Sequence, residues 1–225
     1  MKMIRTLLAD DHTIVREGLR ALLFADGEIE VVAEAHNGRE AVILAKEFRP
    51  DVVVMDIAMP LLNGLEATRQ ILSTSSKTKV LILSAHSDDA YIDRVIAVGA
   101  VGFLIKQTSA QILAKAIHEI AAGNSFYSPQ VTKRLRDHYN KPATAGGLIT
   151  KKATGLTSRE LEVIQLVAEG FANKQVASDL SISIKTVEKH RQHLMDKLNI
   201  HDTAGLTRYA IAQGIIESGV QVTII

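Results

Sequence analysis

The sequence predicts a chain in two parts: an α/β unit built on a five-stranded, parallel, doubly wound sheet, followed by a small all-α module of four helices. Three observations carry that prediction. Between the amino terminus and about Gly123, short apolar runs alternate five times with amphipathic stretches, and parallel strands need such crossover helices. The runs are continuously apolar, as in strands buried on both faces. Beyond Leu156 the strand pattern stops and helical periodicity takes over.

The strands are expected near 4–9, 29–35, 51–55, 79–84 and 101–106, and the helices between them near 13–25, 38–48, 63–74, 88–98 and 109–122. Gly27, Gly38, Gly64, Gly99 and Gly123 fall at or near the boundaries, where tight or left-handed backbone is expected. Ser128-Pro129 opens a short basic helix to about Tyr139, and Lys141 to Gly155 lacks periodicity and reads as linker. Four amphipathic helices follow near 158–169, 173–180, 184–198 and 203–217. Thr157 or Ser158 caps the first, with Glu160 close behind in a capping-box pattern. The second and third are joined by Ser181-Ile182-Ser183, the spacing of a helix-turn-helix. An apolar tail runs from Val220 to Ile225. The domain boundaries drawn from these patterns are 1–123, a linker with a short helix over 124–155, and 156–225.

Composition narrows the classes. The 225 residues carry a net charge of +1, 47% hydrophobic but 4% aromatic side chains, and no cysteine, so the core is aliphatic and disulfides and thiolate metal sites are excluded. No apolar run approaches the roughly 18 residues needed to span a bilayer, and a soluble cytoplasmic protein is expected. Lys133, Arg134, Arg136, Lys141, Lys151 and Lys152 stand against Asp137 alone; this basic stretch fits a nearby polyanion and a solvated linker equally well.

Three strands end in chemistry. Leu7-Leu8-Ala9 runs into Asp10-Asp11, Val52 to Met55 into Asp56, and Val101 to Ile105 into Lys106, while the fourth strand ends in Ser84. Open α/β sheets bind ligands where parallel strands end, so these groups should meet at one edge. Clustered aspartates repel unless a cation lies among them, and hard oxygen donors suit Mg²⁺. Lys106 reaches a phosphoryl oxygen as a point charge, and Ser84 can donate to the same group. Such a set lets an aspartate accept a phosphoryl group as nucleophile. Singly, an aspartate after a strand is more often a helix cap; together the four are hard to obtain by accident.

On A-D-D-H at Asp10, M-D-I-A-M-P-L-L-N-G around Asp56, L-S-A-H at Ser84 and V-G-F-L-I-K ending at Lys106, the first part resembles the receiver domain of two-component response regulators, a flavodoxin-like fold. The resemblance implies that Asp56 is the phosphoacceptor and that Asp10, Asp11, Asp56 and the backbone carbonyl of Ala58 organise Mg²⁺. It further implies that Lys106 and Ser84 contact the phosphoryl group, and that Ser84 and Phe103 form the switch. Haloacid-dehalogenase-type phosphatases call for a second aspartate two residues after the nucleophile; here that position is Ala58, and an enzyme is not expected.

In the helical module Val187, Leu194 and Leu198 are spaced to face the core of the third helix, turning Lys185, Glu188, Lys189, Gln192 and Asp196 outward toward base edges. Lys174, Thr186, His190, Arg191, His193 and Lys197 are placed to serve phosphates at the flanks. From Lys151 to Ile225 there are nine Lys and Arg against eight Asp and Glu, so charge alone leaves DNA undecided. G-L-T-S-R-E-L-E-V, F-A-N-K-Q-V-A-S-D-L, S-I-K-T-V-E-K-H and L-M-D-K-L resemble the LuxR-type helix-turn-helix, and with the receiver they are similar to the NarL/FixJ class. That resemblance implies a transcription regulator phosphorylated by a sensor histidine kinase, with Mg²⁺, which binds double-stranded DNA as a homodimer and involves no membrane. It puts the recognition helix at Ile184–Leu198 and the dimer contact on the helix from about Thr203. Glu188 stands where the family often has a basic residue, and it either accepts from a cytosine amino group or pairs with a neighbour such as Lys185. The unphosphorylated receiver is expected to cover part of the recognition helix.

Overall fold

A computed structural model describes residues 3–85, 89–127, 131–132 and 155–216. The first part runs β1 (Ile4–Ala9), α1 (Thr13–Phe24), β2 (Ile29–Ala35), α2 (Gly38–Phe48), β3 (Val52–Asp56), α3 (Gly64–Thr74), β4 (Lys79–Ser84), α4 (Asp89–Ala97), β5 (Gly102–Ile105), α5 (Ala110–Ala121) and β6 (Phe126–Tyr127). The second part holds α6 (Ser158–Ala168), α7 (Asn173–Asp179), α8 (Ile184–Leu198) and α9 (Thr203–Ala212). The linker from Lys141 to Thr154 and the tail from Val220 lie outside the described residues, as does most of the basic helix expected after Ser128.

The strands form one parallel sheet in the order β2-β1-β3-β4-β5-β6. The sheet has six strands where the sequence predicts five. The additional edge strand pairs Phe126 with Gly102 and Tyr127 with Phe103, and the Tyr127 hydroxyl donates to the Ala100 carbonyl at 2.7 Å. Two residues are too few to carry a periodic signal, which is why this strand is silent in the sequence.

Alternate residues of the strands feed two cores. Leu7, Val53, Met55, Val80, Ile82 and Phe103 pack with Ala41 and Ala45 of α2, Ala67 and Ile71 of α3 and Val95 of α4. Leu8, Val52, Val54, Leu81, Leu83 and Leu104 pack on the other face with Leu23 of α1 and Leu113, Ala116, Ile117 and Ile120 of α5. Helices therefore cover both faces, and the polar edge at the strand ends stays between them.

In the second part, Val163, Ile164, Leu166, Val167, Val176, Leu180, Val187, Leu194 and Leu206 form a separate core. Its helices begin as the sequence predicts. Thr157 and Glu160 make a full capping box on α6, Ser183 caps α8 through the amide of Thr186, and Asp202 caps α9 through the amide of Gly205. Among the described residues no helix is long and apolar enough to cross a membrane.

Candidate functional site

The ends of β1, β3 and β5 bring Asp10, Asp56 and Lys106 together. The Lys106 ammonium lies 2.8 Å from Oδ2 of Asp10 and 2.8 Å from Oδ2 of Asp56, and both carboxylates are buried. The other oxygen of each is held locally: the amide of His12 donates to Asp10 Oδ1 at 2.9 Å and the amide of Ile57 to Asp56 Oδ1 at 2.8 Å. α1 has His12 at its N-cap position without a side-chain cap, so neither Asp10 nor Asp11 is used as that cap. Arg16, buried on α1, donates to the Asp10 carbonyl at 2.7 Å and pairs with Glu34. Ser84 is buried beside this edge, and the Lys106 amide donates to its carbonyl at 2.8 Å. Phe103 is buried two residues before the end of β5, opposite Ile82. Ala58 is half-buried, two residues past Asp56.

Burial pushes the Asp56 carboxyl up to about 6, against the pull of Lys106 and with a further push from Asp10. Burial works to lower the Lys106 pKa, but Asp56 and Asp10 outweigh it and raise it. A buried anion that resists ionisation beside a second carboxylate favours an added positive charge. One ligand atom each from Asp10, Asp11, His12 and Asp56 lies within 4.8 Å of all the others. Three of these are carboxylate oxygens, and the cluster fits a small, hard divalent cation. His12 is not singled out by the strand-end pattern, since it follows Asp11 by one residue and belongs to no apolar run; its Nδ1 lies 2.8 Å from Asp11 Oδ1.

On α8, Val187 and Leu194 are buried and Leu198 is half-buried, as the helical spacing predicts. Lys185, Glu188, Lys189, Gln192, His193 and Asp196 are exposed, as is Lys174 on α7. Glu188 makes no ion pair among the described residues; with Asn173, Arg191, Gln192 and Met195 it lines a shallow depression. Gln192 donates to Asp196 at 2.8 Å and Thr186 is bonded to the Ser183 cap. Arg191 reaches Asn173 at 2.8 Å and Thr203 at 3.2 Å, tying three helices together, and Lys197 pairs with Glu160 at 2.7 Å.

Residues 6–118 match the response regulator receiver domain, and residues 154–210 match the bacterial regulatory proteins of the luxR family. The chain is 36% identical over 225 residues to the transcriptional regulatory protein DegU of Brevibacillus brevis, covering 95% of each. It is 34% identical over 214 residues to the response regulator protein VraR of Staphylococcus aureus, covering 95% of this chain and 99% of that one. The chain is a two-component response regulator with a LuxR-type DNA-binding domain. Among solved structures, the response regulator ChrA of a heme-sensing two-component system is 34% identical with a TM-score of 0.51, covering 96% of this chain and 100% of that one. The response regulator RcsB in its complex with DNA is 25% identical with a TM-score of 0.54, covering 92% and 98%. DegU is a transcriptional regulatory protein and VraR a response regulator protein, the class of protein that the sequence predicts.

In this response regulator the two domains touch through residues the sequence patterns do not reveal. Gln165 of α6, fully buried, donates to the Met59 carbonyl at 3.0 Å and accepts from the amide and side chain of Asn63 at 2.8 and 3.2 Å. Both carboxylate oxygens of Glu169 accept from the Leu61 amide at 3.2 Å. Gln70 of α3 donates to Glu162 of α6 at 2.7 Å, Arg39 of α2 reaches the Asp179 carbonyl at 3.4 Å, and Arg94 of α4 donates to Gln213 just past α9. The expectation that the receiver covers part of the recognition helix does not hold here. Contact is made through α6 and the ends of α7 and α9, while the outer face of α8 is left exposed.

Proposed function

We propose that this response regulator is switched by phosphorylation of Asp56 and that its open form reads double-stranded DNA as a homodimer through α8. The observation that carries this reading is the Lys106 ammonium, 2.8 Å from both Asp10 and Asp56 at one sheet edge. A sensor histidine kinase supplies the phosphoryl group. Oδ1 of Asp56 is engaged by the Ile57 amide, so Oδ2 beside Lys106 is the attacking atom; the new O–P bond forms as the P–N bond of the donor phosphohistidine breaks. Lys106 turns from the carboxylate to the phosphoryl oxygens, Ser84 donates to one of them, and Phe103, already buried, repacks as Ser84 moves. Asp10, Asp11, Asp56 and the Ala58 carbonyl would hold Mg²⁺, which would supply positive charge to the transferring group.

The phosphoryl group carries roughly 1.5 to 2 negative charges where the carboxylate carried at most one, at a site that cannot itself touch DNA, so it acts by biasing two arrangements of the domains. In the docked arrangement Arg94 holds Gln213, at the end of the helix assigned to the dimer contact. Release frees α9 for a partner copy and spaces two recognition helices on a two-fold site. Going from mostly docked to mostly open takes roughly 5 kcal/mol, which dimerisation on DNA shares. Lys185, Lys189, Gln192 and Glu188 are placed for base edges, with Lys174, Thr186, His190 and His193 at the phosphates. Arg191 and Lys197 would share their present bonds with the backbone. The reading places the functional units at 1–123, 124–155 and 156–225, in the cytoplasm.

Treatment with a small acyl phosphate and Mg²⁺ is expected to add one phosphoryl group to the protein and none to Asp56→Asn, by intact-mass measurement. Footprinting is expected to show tighter operator binding by the phosphorylated form. Equal affinity for the phosphorylated protein and Asp56→Asn would refute the coupling.

A further inference from the structure

The loop between β3 and α3 carries Ala58 and is gripped from two sides. On its own domain, glycines seat it: a Cβ on Gly64 would lie 1.8 Å from the Asp56 carbonyl oxygen, and one on Gly38 would lie 2.0 Å from that of Leu62. Neither end of the loop has slack. From the other domain, Gln165 bonds the Met59 carbonyl and the Asn63 amide, the residues that bracket the loop's turn, and also donates to Glu169 at 2.8 Å, which holds Leu61. Leu61 has φ +66, in the left-handed region that a branched side chain rarely adopts. Its side chain packs against the core of the DNA-binding domain. A residue held in this conformation persists where its surroundings over-determine it, and here the surroundings belong to the other domain.

We infer that Gln165, on the first helix of the DNA-binding domain, is a positioning residue for the phosphoacceptor site, clamping the Met59–Asn63 loop so that domain docking opposes loading of Asp56. The inference rests on the reading of Asp56 as phosphoacceptor. Ile57 joins that loop to the site: its amide holds Asp56 Oδ1 and its carbonyl accepts from the amides of Met59 and Gly64 at 3.2 and 2.8 Å. A phosphoryl group on Asp56, with the Ala58 carbonyl turned to a cation, needs this segment to shift, and the docked Gln165 resists at both ends. By reciprocity, loading must then weaken the docking equilibrium by the factor by which docking disfavours the loaded state at equilibrium.

The test uses the full chain with acetyl phosphate and Mg²⁺. Gln165→Ala is expected to raise the rate of Asp56 loading about 5-fold or more, and to lower the Mg²⁺ concentration for half-maximal loading. In the unmutated protein, hydrogen exchange at the amides of Leu61 and Asn63, which donate across the contact, is expected to speed up several-fold once Asp56 is loaded. The second measurement needs no variant and is untouched by any folding defect of the substitution. An unchanged or slower loading rate in a folded Gln165→Ala protein, or unchanged protection at those two amides after loading, overturns the clamp. Failure of the unmutated protein to take up phosphate on Asp56 overturns the reading of the pocket and the clamp with it.

Discussion

The acidic pocket and the domain contact both bury carboxylates, but they satisfy them from different sources. In the pocket, Asp10 and Asp56 share the charge of Lys106 and each accepts from a neighbouring amide, of His12 and Ile57, so each of these partners is a receiver residue. At the contact, Glu162 takes a bond from Gln70 and Glu169 one from the Leu61 amide across the boundary, besides their partners Arg159 and Gln165 in their own domain. A buried polar group is costly when it loses its partner. Opening the domains leaves the pocket untouched and takes one bond from each contact carboxylate, which water must then replace. On the function proposed above, the self-contained arrangement carries the chemistry and the one shared between domains carries the output.

The largest expected effect comes where the two regions meet. Gly64→Ala forces a Cβ to 1.8 Å from the Asp56 carbonyl oxygen, backbone against backbone, so β3 and α3 must part. The expected cost is about 3 kcal/mol or more by chemical denaturation, with loss of phosphoryl loading. A variant within about 0.5 kcal/mol of the parent would show that this approach is looser than described.

Lys106→Ala sharpens the comparison by touching the pocket alone. It removes the ammonium from two buried carboxylates and from the transferring group, and loading is expected to slow by about 100-fold or more. Exchange at the Asn63 amide, bonded to Gln165, is expected to stay at its parental rate in the unloaded protein. If that amide were deprotected as well, the two regions would not be independently built.

The same division explains what is legible in the sequence. Asp10, Asp56 and Lys106 are readable because each ends an apolar run, and parallel strands in one sheet must finish at one edge. The capping box of Thr157 and Glu160 and the inward Val187 and Leu194 follow from local spacing. Glu162, Gln165 and Glu169 share that helical spacing, but polar residues three and four apart read as a solvated face. Gln165 gives the one hint, a polar side chain among Ile164, Leu166 and Val167, yet a stripe does not say which surface covers it. Arg16 and Phe126-Tyr127 are silent for the same reason, since their burial and pairing depend on neighbours far along the chain. The recognition helix shows the reverse failure: its outer face is readable, but whether the receiver covers it is a question of docking that periodicity does not address.

The smallest expected effect is a pH dependence confined to the contact. Burial raises the Glu66 carboxyl, opposed by Arg69, Ser158 and Gln70 and reinforced by Glu162 across the boundary. Burial raises Glu169 too, opposed by Gln165, the Leu61 amide and Arg39. Both return toward the ordinary value of 4.5 when the domains separate, so the docked form holds its protons more tightly. A raised carboxyl contributes docking strength that is complete below about pH 4.5 and fades as pH climbs through the raised values, so the domains should open more readily near neutrality than at mildly acid pH. Glu160 runs the other way: burial raises it, but Lys197 and Thr157 outweigh that and hold it low, so acid weakens the fold of the DNA-binding domain itself as pH falls below about 4.5. The two effects separate by probe. Small-angle scattering on the full chain should give a radius of gyration that rises modestly from pH 5 to 7.5, and in Glu169→Gln, which keeps an acceptor for Leu61 without the charge, the rise should shrink. A radius that falls over that interval would mean that the carboxylates at the contact are stabilised by their partners as ions, and that burial does not set their titration.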